Sequence, residues 1–194
     1  MIITGNKEKN ADYYSEIYEK EYNTSMYYPL YQHCVSTIGT LSSPRILELG
    51  CGIGDLGQMI IERGYPYHGF DFSEEAIQQS LKKCPSGNFK VGNVYDKHLY
   101  QAEDYNTVVA LEVLEHVEDI DVIKNIIPGA IVIASVPDYT DAAHLRLYKD
   151  SQKDIIEYYK PYLHVTAINT AIISTPNSEK KDTLHIFVGI RLLD

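Results

Sequence analysis

Residues 46–57 read Ile46-Leu47-Glu48-Leu49-Gly50-Cys51-Gly52-Ile53-Gly54-Asp55-Leu56-Gly57. Ile46, Leu47 and Leu49 make a short apolar run suited to a strand buried inside a parallel sheet. Gly50, Gly52 and Gly54 suit a tight turn in which backbone comes close to a ligand. The residues from Asp55 onward can start a helix, whose free N–H groups favour a polar or anionic ligand. The segment therefore predicts a small-molecule cofactor pocket at the end of a first strand.

Nicotinamide enzymes space such glycines G-x-G-x-x-G and seat a pyrophosphate there. Here the spacing from Gly50 is G-x-G-x-G, with Glu48 ahead of it. A carboxylate in the strand repels a diphosphate and suits an ammonium group. The run Glu48–Gly54 resembles motif I of the class I S-adenosylmethionine-dependent methyltransferases, whose cofactor ends in a zwitterion. The resemblance implies that Glu48, Gly50, Cys51, Gly52 and Gly54 hold S-adenosylmethionine. Cys51 reads as a small packing residue in that turn, not as a nucleophile.

The bulk properties fit a soluble enzyme. A chain of 194 residues is expected to form one domain. Its 44% hydrophobic and 23% charged content is ordinary for a globular protein. No stretch approaches the roughly 18 apolar residues of a membrane span, and the first residues lack the apolar core of a signal peptide. Cys34, Cys51 and Cys84 show no C-x-x-C spacing and suggest reduced thiols in a cytoplasm. A net charge of −10 argues against broad contact with a nucleic-acid backbone.

Apolar runs and helical patterns alternate along the chain, predicting an α/β fold with helices on both faces of a parallel sheet. Strands are expected at 45–50, 67–71, 88–92, 107–111 and 130–136, with strand-like runs at 162–173 and 184–192. Helices are expected at 55–63, from an N-cap at Ser73 to Cys84, at 117–127 and at 150–159. Thr175-Pro176-Asn177-Ser178 reads as the turn between the last two strands. Seven strands ending in such a pair resemble the methyltransferase sheet. The resemblance implies a doubly wound, mostly parallel seven-stranded sheet of order 3-2-1-4-5-7-6, with residues 45–194 as the core.

Residues 1–44 precede that core and are dense in tyrosine. Tyr14, Tyr18 and Tyr22 lie four apart and would share one helix face. Two readings stand side by side: a lid helix over the cofactor, or a packing helix using tyrosine as an amphipathic wedge. On the first, Tyr14 and Tyr18 contact the cofactor carboxylate or the acceptor.

Asp71 ends the second strand, 17 residues after Gly54. A carboxylate there accepts from ribose hydroxyls, or else caps the following helix. Phe72 would lie against adenine. The resemblance places the polar residue at Asn93, with Val94 beside it, at the adenine amino group. Family members commonly have Asp there, and an Asn oxygen still accepts. The alternative is a turn asparagine. Residues 112–116, Glu-Val-Leu-Glu-His, resemble motif IV of the ubiquinone-biosynthesis-like methyltransferases, implying that backbone at Leu111 and Glu112 receives the methionine end.

His116 and His144 are the candidate catalytic residues, as general base or acceptor-orienting groups. The alternatives are a His116 that braces the pocket floor and a His144 that hydrogen-bonds backbone or pairs with a neighbour in its loop. Glu112, Glu115, His116 and His144 also raise a divalent-metal site resembling that of the small-RNA 2′-O-methyltransferases. The favoured reading assigns no metal ligand. The sequence thus points to a cytoplasmic S-adenosylmethionine-dependent methyltransferase acting on O or N of a small molecule, with no membrane or nucleic-acid partner and its oligomeric state open. The alternatives are a metal-assisted RNA 2′-O-methyltransferase and a non-catalytic cofactor-binding module.

Overall fold

The computed structural model describes residues 1–20, 23–148, 151–174 and 181–193. Tyr22 and the expected turn at 175–178 lie outside the described residues. Seven strands form one sheet: β2 (Ile46–Leu49), β3 (Tyr67–Asp71), β4 (Phe89–Val91), β5 (Thr107–Ala110), β6 (Ile131–Pro137), β8 (Leu163–Ser174) and β9 (Lys181–Arg191). Their order is β4-β3-β2-β5-β6-β9-β8. The first five are parallel, while β9 runs antiparallel between β6 and β8. Counted from β2, this is the predicted order.

The central strands bury both faces, which is why they read as near-continuous apolar runs. Every residue of β2 and β5 is buried, Glu48 included. Alternation divides their side chains between two cores. Leu47, Leu49, Val108, Ala110 and Val132 pack with Val122 of α6 (Asp119–Asn125) and with Ile155 and Tyr159 of α7 (Ser151–Tyr159). Ile46, Val109 and Ile133 face the other way. They meet Leu30 and Ile38 of α2 (Tyr28–Ile38) and Leu56 and Ile60 of α3 (Asp55–Ile61).

The predicted N-cap is present. The Ser73 hydroxyl accepts from the Ala76 N–H at 3.2 Å and opens α4 (Glu74–Lys83). Glu74 and Glu75 occupy its first turn and Lys82 and Lys83 its last, matching the helix dipole. The N-terminal region holds α1 (Ala11–Tyr18) and α2. A two-stranded antiparallel ladder joins β1 (Ile2–Ile3) to β7 (Arg146–Leu147), and a two-residue strand carries too little pattern to be read from sequence.

One expected helix is redrawn. The 117–127 helix begins later, at Asp119, after a separate 3-10 turn at Leu114–His116. Glu112 has φ 57°, a left-handed conformation that costs a non-glycine residue energy. It turns the chain away from β5 before any helix can form.

Candidate active site

The site is built at the carboxyl ends of β2, β3, β5 and β6, where open parallel sheets bind ligands. Gly50, Gly52 and Gly54 all have left-handed φ, at 63°, 51° and 81°. A Cβ on Gly50 would come 2.6 Å from Val113 Cγ2, and one on Gly54 would come 2.7 Å from Ser80 Cβ. The turn therefore needs glycine for both conformation and space. The Gly52 N–H donates to Asp71 Oδ2 at 3.0 Å, and the Ser73 N–H donates to Asp71 Oδ1 at 2.9 Å. Asp71 thus ties the glycine turn to the end of β3. Each carboxylate oxygen keeps further acceptor capacity.

Glu48 is buried and accepts from the Tyr67 hydroxyl at 2.6 Å. Loss of solvation raises its pKa to about 8, partly countered by that bond. Tyr67 fills the space that side chains on Gly57 and Gly69 would need. An uncharged, buried carboxyl beside the glycine turn becomes a strong acceptor when a cation arrives.

Glu112 lies across the turn. Its N–H donates to Ser135 Oγ at 2.8 Å, and that hydroxyl donates back to Glu112 Oε1 at 2.8 Å. This reciprocal pair holds the strained residue in place. Glu115 is fully buried with neither carboxylate oxygen hydrogen-bonded among the described residues. Burial, and then Glu112 nearby, push its pKa well up.

His116 and His144 converge with ring centroids 5.0 Å apart. Nδ1 of His116 faces the Ala143 carbonyl and Nδ1 of His144 faces the Tyr139 carbonyl, each at 3.1 Å. A carbonyl only accepts, so each neutral ring carries its proton on Nδ1 and presents a lone pair on Nε2. Burial, then His144, lowers the His116 pKa to about 4; burial also lowers that of His144. One ligand atom each from Glu115, His116 and His144 lie within 4.8 Å of one another. The expectation of no metal ligand thus meets a grouping with metal-site geometry. Glu112 is not part of it.

A cavity of about 470 Å³ runs from Glu48 and the glycine turn past Leu111 and Glu112 to the two histidines. A smaller one of about 80 Å³ is lined by Asp71, Phe72, Asn93 and Val94. Asn93 also forms a turn, its side-chain oxygen accepting from the Tyr95 N–H at 3.0 Å. Tyr14 and Tyr18 of α1 border both cavities. Tyr18 lies over Gly52, its hydroxyl 3.3 Å from where a Cβ would stand. The Tyr14 ring packs against Phe72 and His116 at 5.4 and 5.9 Å, and its hydroxyl is buried without a hydrogen-bond partner among the described residues. Every sequence-predicted site residue therefore borders one of these cavities, Gly54 excepted, which shapes the turn from behind.

Sequence reading missed Tyr67, Ser135 and Tyr139. Tyr139 packs on His144 at 5.3 Å and donates to Glu112 at 3.4 Å. Ser135 and Tyr139 lie in the run Ser135-Val136-Pro137-Asp138-Tyr139, which resembles a methyltransferase segment, but their partners are set by the register of β6 and the loop after it, and Tyr67 sits in no such motif. Tyr27 and Tyr31 also line the larger cavity. Their i, i+4 spacing in the tyrosine-rich segment was the available signal.

Residues 47–127 match a family model described as a methyltransferase domain. The ubiquinone biosynthesis O-methyltransferase of Rickettsia bellii is 30% identical over 112 residues, covering 54% of this chain and 47% of that protein. The match thus spans about half the length of that relative. Among solved structures, magnesium protoporphyrin IX methyltransferase from Synechocystis with bound SAH aligns with TM-score 0.63 and 18% identity, over 84% of this chain and 81% of that one. A putative methyltransferase in complex with the Haloferax volcanii Trm112 activator aligns with TM-score 0.70 and 14% identity, over 96% and 99%. These two likenesses establish the fold.

Proposed function

We propose, from the match of residues 47–127 to a model described as a methyltransferase domain, that this chain is an S-adenosylmethionine-dependent methyltransferase acting on oxygen or nitrogen of a small molecule. The observation that carries the reading is the left-handed glycine turn tied by Asp71 and backed by buried Glu48, opening on a cavity that reaches two neutral histidines. Glu48 and the backbone at Leu111 and Glu112 would hold the methionine end. Asp71 would hold the ribose, and Phe72, Asn93 and Val94 the adenine. Tyr14 and Tyr18 would close over both. The cofactor, when bound, supplies a sulfonium-activated methyl group.

The chain's remaining task is alignment and proton removal. The cavity walls orient the acceptor. Nε2 of His116 or His144 takes the proton of an acceptor hydroxyl, whereas a neutral amine acceptor needs no base. The net charge of −10 supports a small acceptor over a nucleic acid. The three cysteines are free and buried, which suits a reducing cytoplasm. No helix among the described residues is long and apolar enough to cross a membrane.

Calorimetric titration with S-adenosylmethionine and S-adenosylhomocysteine tests the reading; no binding at millimolar cofactor overturns it. Incubation with methyl-labelled cofactor and a metabolite pool separates an enzyme from a non-catalytic binding module.

A second reading, metal-assisted transfer, is favoured by the grouping of Glu115, His116 and His144, in which the buried Glu115 carboxyl has no hydrogen-bond partner among the described residues. Oxygen and imidazole donors suit Mg²⁺, Mn²⁺ or Zn²⁺. Binding of these ions, measured after EDTA treatment and compared between the native chain and Glu115→Gln, decides it.

A further inference from the structure

Asp119 and Arg146 lie outside both cavities, yet each closely follows one of the two histidines in sequence. Asp119 follows His116 by three residues and Arg146 follows His144 by two. Asp119 is fully buried at the start of α6. Its Oδ2 accepts from the hydroxyls of Tyr159 at 2.7 Å and Tyr148 at 3.2 Å. Its Oδ1 accepts from the Tyr158 hydroxyl at 2.9 Å and from the Ile120 N–H at 2.8 Å. Arg146 Nη1 stands 3.4 Å from Asp119 Oδ1. The same guanidinium donates to the Val117 carbonyl and to Glu118, and its plane lies over the Tyr158 ring.

Such a network has to be explained. Burying an ion pair is a poor way to gain stability, because the desolvation cost rivals the attraction. What a buried polar network does provide is one fixed geometry; here every Asp119 oxygen is hydrogen-bonded, while Arg146 Nε is buried without a hydrogen-bond partner among the described residues. Here that geometry joins two segments, 115–119 and 143–148. Besides the Asp119–Arg146 pair, the Leu145 N–H donates to the Glu115 carbonyl at 2.7 Å. His116 Nδ1–H reaches the Ala143 carbonyl. The N-terminal strand backs the second segment, with the Thr4 hydroxyl donating to the His144 carbonyl at 2.6 Å.

We propose that Asp119 and Arg146 are positioning residues: with Tyr148, Tyr158 and Tyr159 they clamp 115–119 onto 143–148, so that His116 and His144 meet ring to ring with Nε2 of each open to the cavity. Their use on an acceptor rests on the function proposed above; the clamp itself does not. The pair touches neither the glycine turn nor Asp71, so it acts mainly on the acceptor half of the site, although Arg146 also holds Val117, which with His116 borders the smaller cavity.

The test reads the histidine tautomers. A free neutral imidazole prefers its proton on Nε2, so Nδ1–H rings are a signature of the clamped geometry. In ¹⁵N-histidine-labelled protein at pH 8, His116 and His144 are both expected to show the Nδ1–H pattern, assigned by His116→Gln and His144→Gln; His68, whose Nδ1 faces Glu103 Oε2 at 2.7 Å, serves as an internal reference. Asp119→Asn removes the charge holding Arg146, and both signatures are expected to be lost or averaged. Affinity for S-adenosylhomocysteine should stay within about twofold, as for independent sites. Arg146→Lys keeps the charge but loses the fork, and should weaken the same two signals. It decides alone if Asp119→Asn does not fold. Persistence of both signatures in the folded variants overturns the proposal, as does a loss of cofactor affinity equal to the loss of signal. Failure of every form to bind S-adenosylhomocysteine overturns the proposed function instead, while the tautomer readout still decides the clamp.

Discussion

Burial makes the charge of Glu48 dependent on what lies beside it. Its folded pKa of about 8 lies above the ordinary carboxylate value. Between the two values the folded state holds a proton that the unfolded state has released, so the contribution of Glu48 to stability is full at low pH and is lost as pH rises through that window. Glu48→Gln should flatten the decline, which has a limiting slope of about 1.4 kcal/mol per pH unit. Urea unfolding at several pH values between 5 and 8.5 checks it, and equal slopes in both proteins refute the burial argument. Asp71 carries the neighbouring prediction. Asp71→Ala should weaken cofactor binding by about 1.5–3 kcal/mol, the scale of hydrogen bonds to a charged group. Because Asp71 also holds the Gly52 N–H, Asp71→Asn is the companion variant; unchanged calorimetric affinity in both removes Asp71 from the ribose role. His144→Ala should lower turnover by about 100-fold or more with little change in cofactor affinity, once an acceptor is found.

The glycine turn and the first helix act as elements. Gly54 caps α3 with a left-handed φ, and Ser80 of α4 leaves no space for a Cβ. Gly54→Ala therefore strains the backbone and pushes on a packed helix together. A loss of about 2 kcal/mol or more is expected in chemical denaturation, and a loss below a few tenths would show that the turn relaxes. Helix α1 is capped by Asn10, whose side chain accepts from the Tyr13 N–H at 3.1 Å, and it buries none of its residues fully. Its hold on the rest of the chain is local: Ser15 meets Ser73 at 2.8 Å, and Gln79 reaches the Tyr18 carbonyl at 3.1 Å. Few buried apolar contacts mark an element of low local stability. Hydrogen exchange in 11–18 should be fast in the free protein and slow with S-adenosylhomocysteine bound, and identical protection in both states would exclude a lid.

For the molecule as a whole, a cofactor that binds only the folded chain must stabilise it. At 100 times its dissociation constant, S-adenosylhomocysteine adds about 2.7 kcal/mol, or roughly 5–11 °C in Tm for a chain of this size. The strands were legible because each parallel strand is a short apolar run with a turn or helix signal beside it, and β2 ends in glycines that only a left-handed turn uses; their order in the sheet came from the family resemblance. The proposed cofactor half of the site was legible for the same reason: Glu48 to Gly54 and Asp71 are held by local backbone geometry at adjacent strand ends. The late start of α6 was not legible, since it depends on Glu112 taking a conformation that Ser135, 23 residues away, holds in place. Nor were the roles of Tyr67, Ser135 and Tyr139, which come from register across the sheet. The sequence by itself determined the strands and the glycine turn at the end of β2, because those depend on periodicity and on where a Cβ cannot fit. Only the tertiary structure decided that Glu115, His116 and His144 meet, because their convergence is made by a buried ion pair and three tyrosine hydroxyls drawn from segments far apart in the chain.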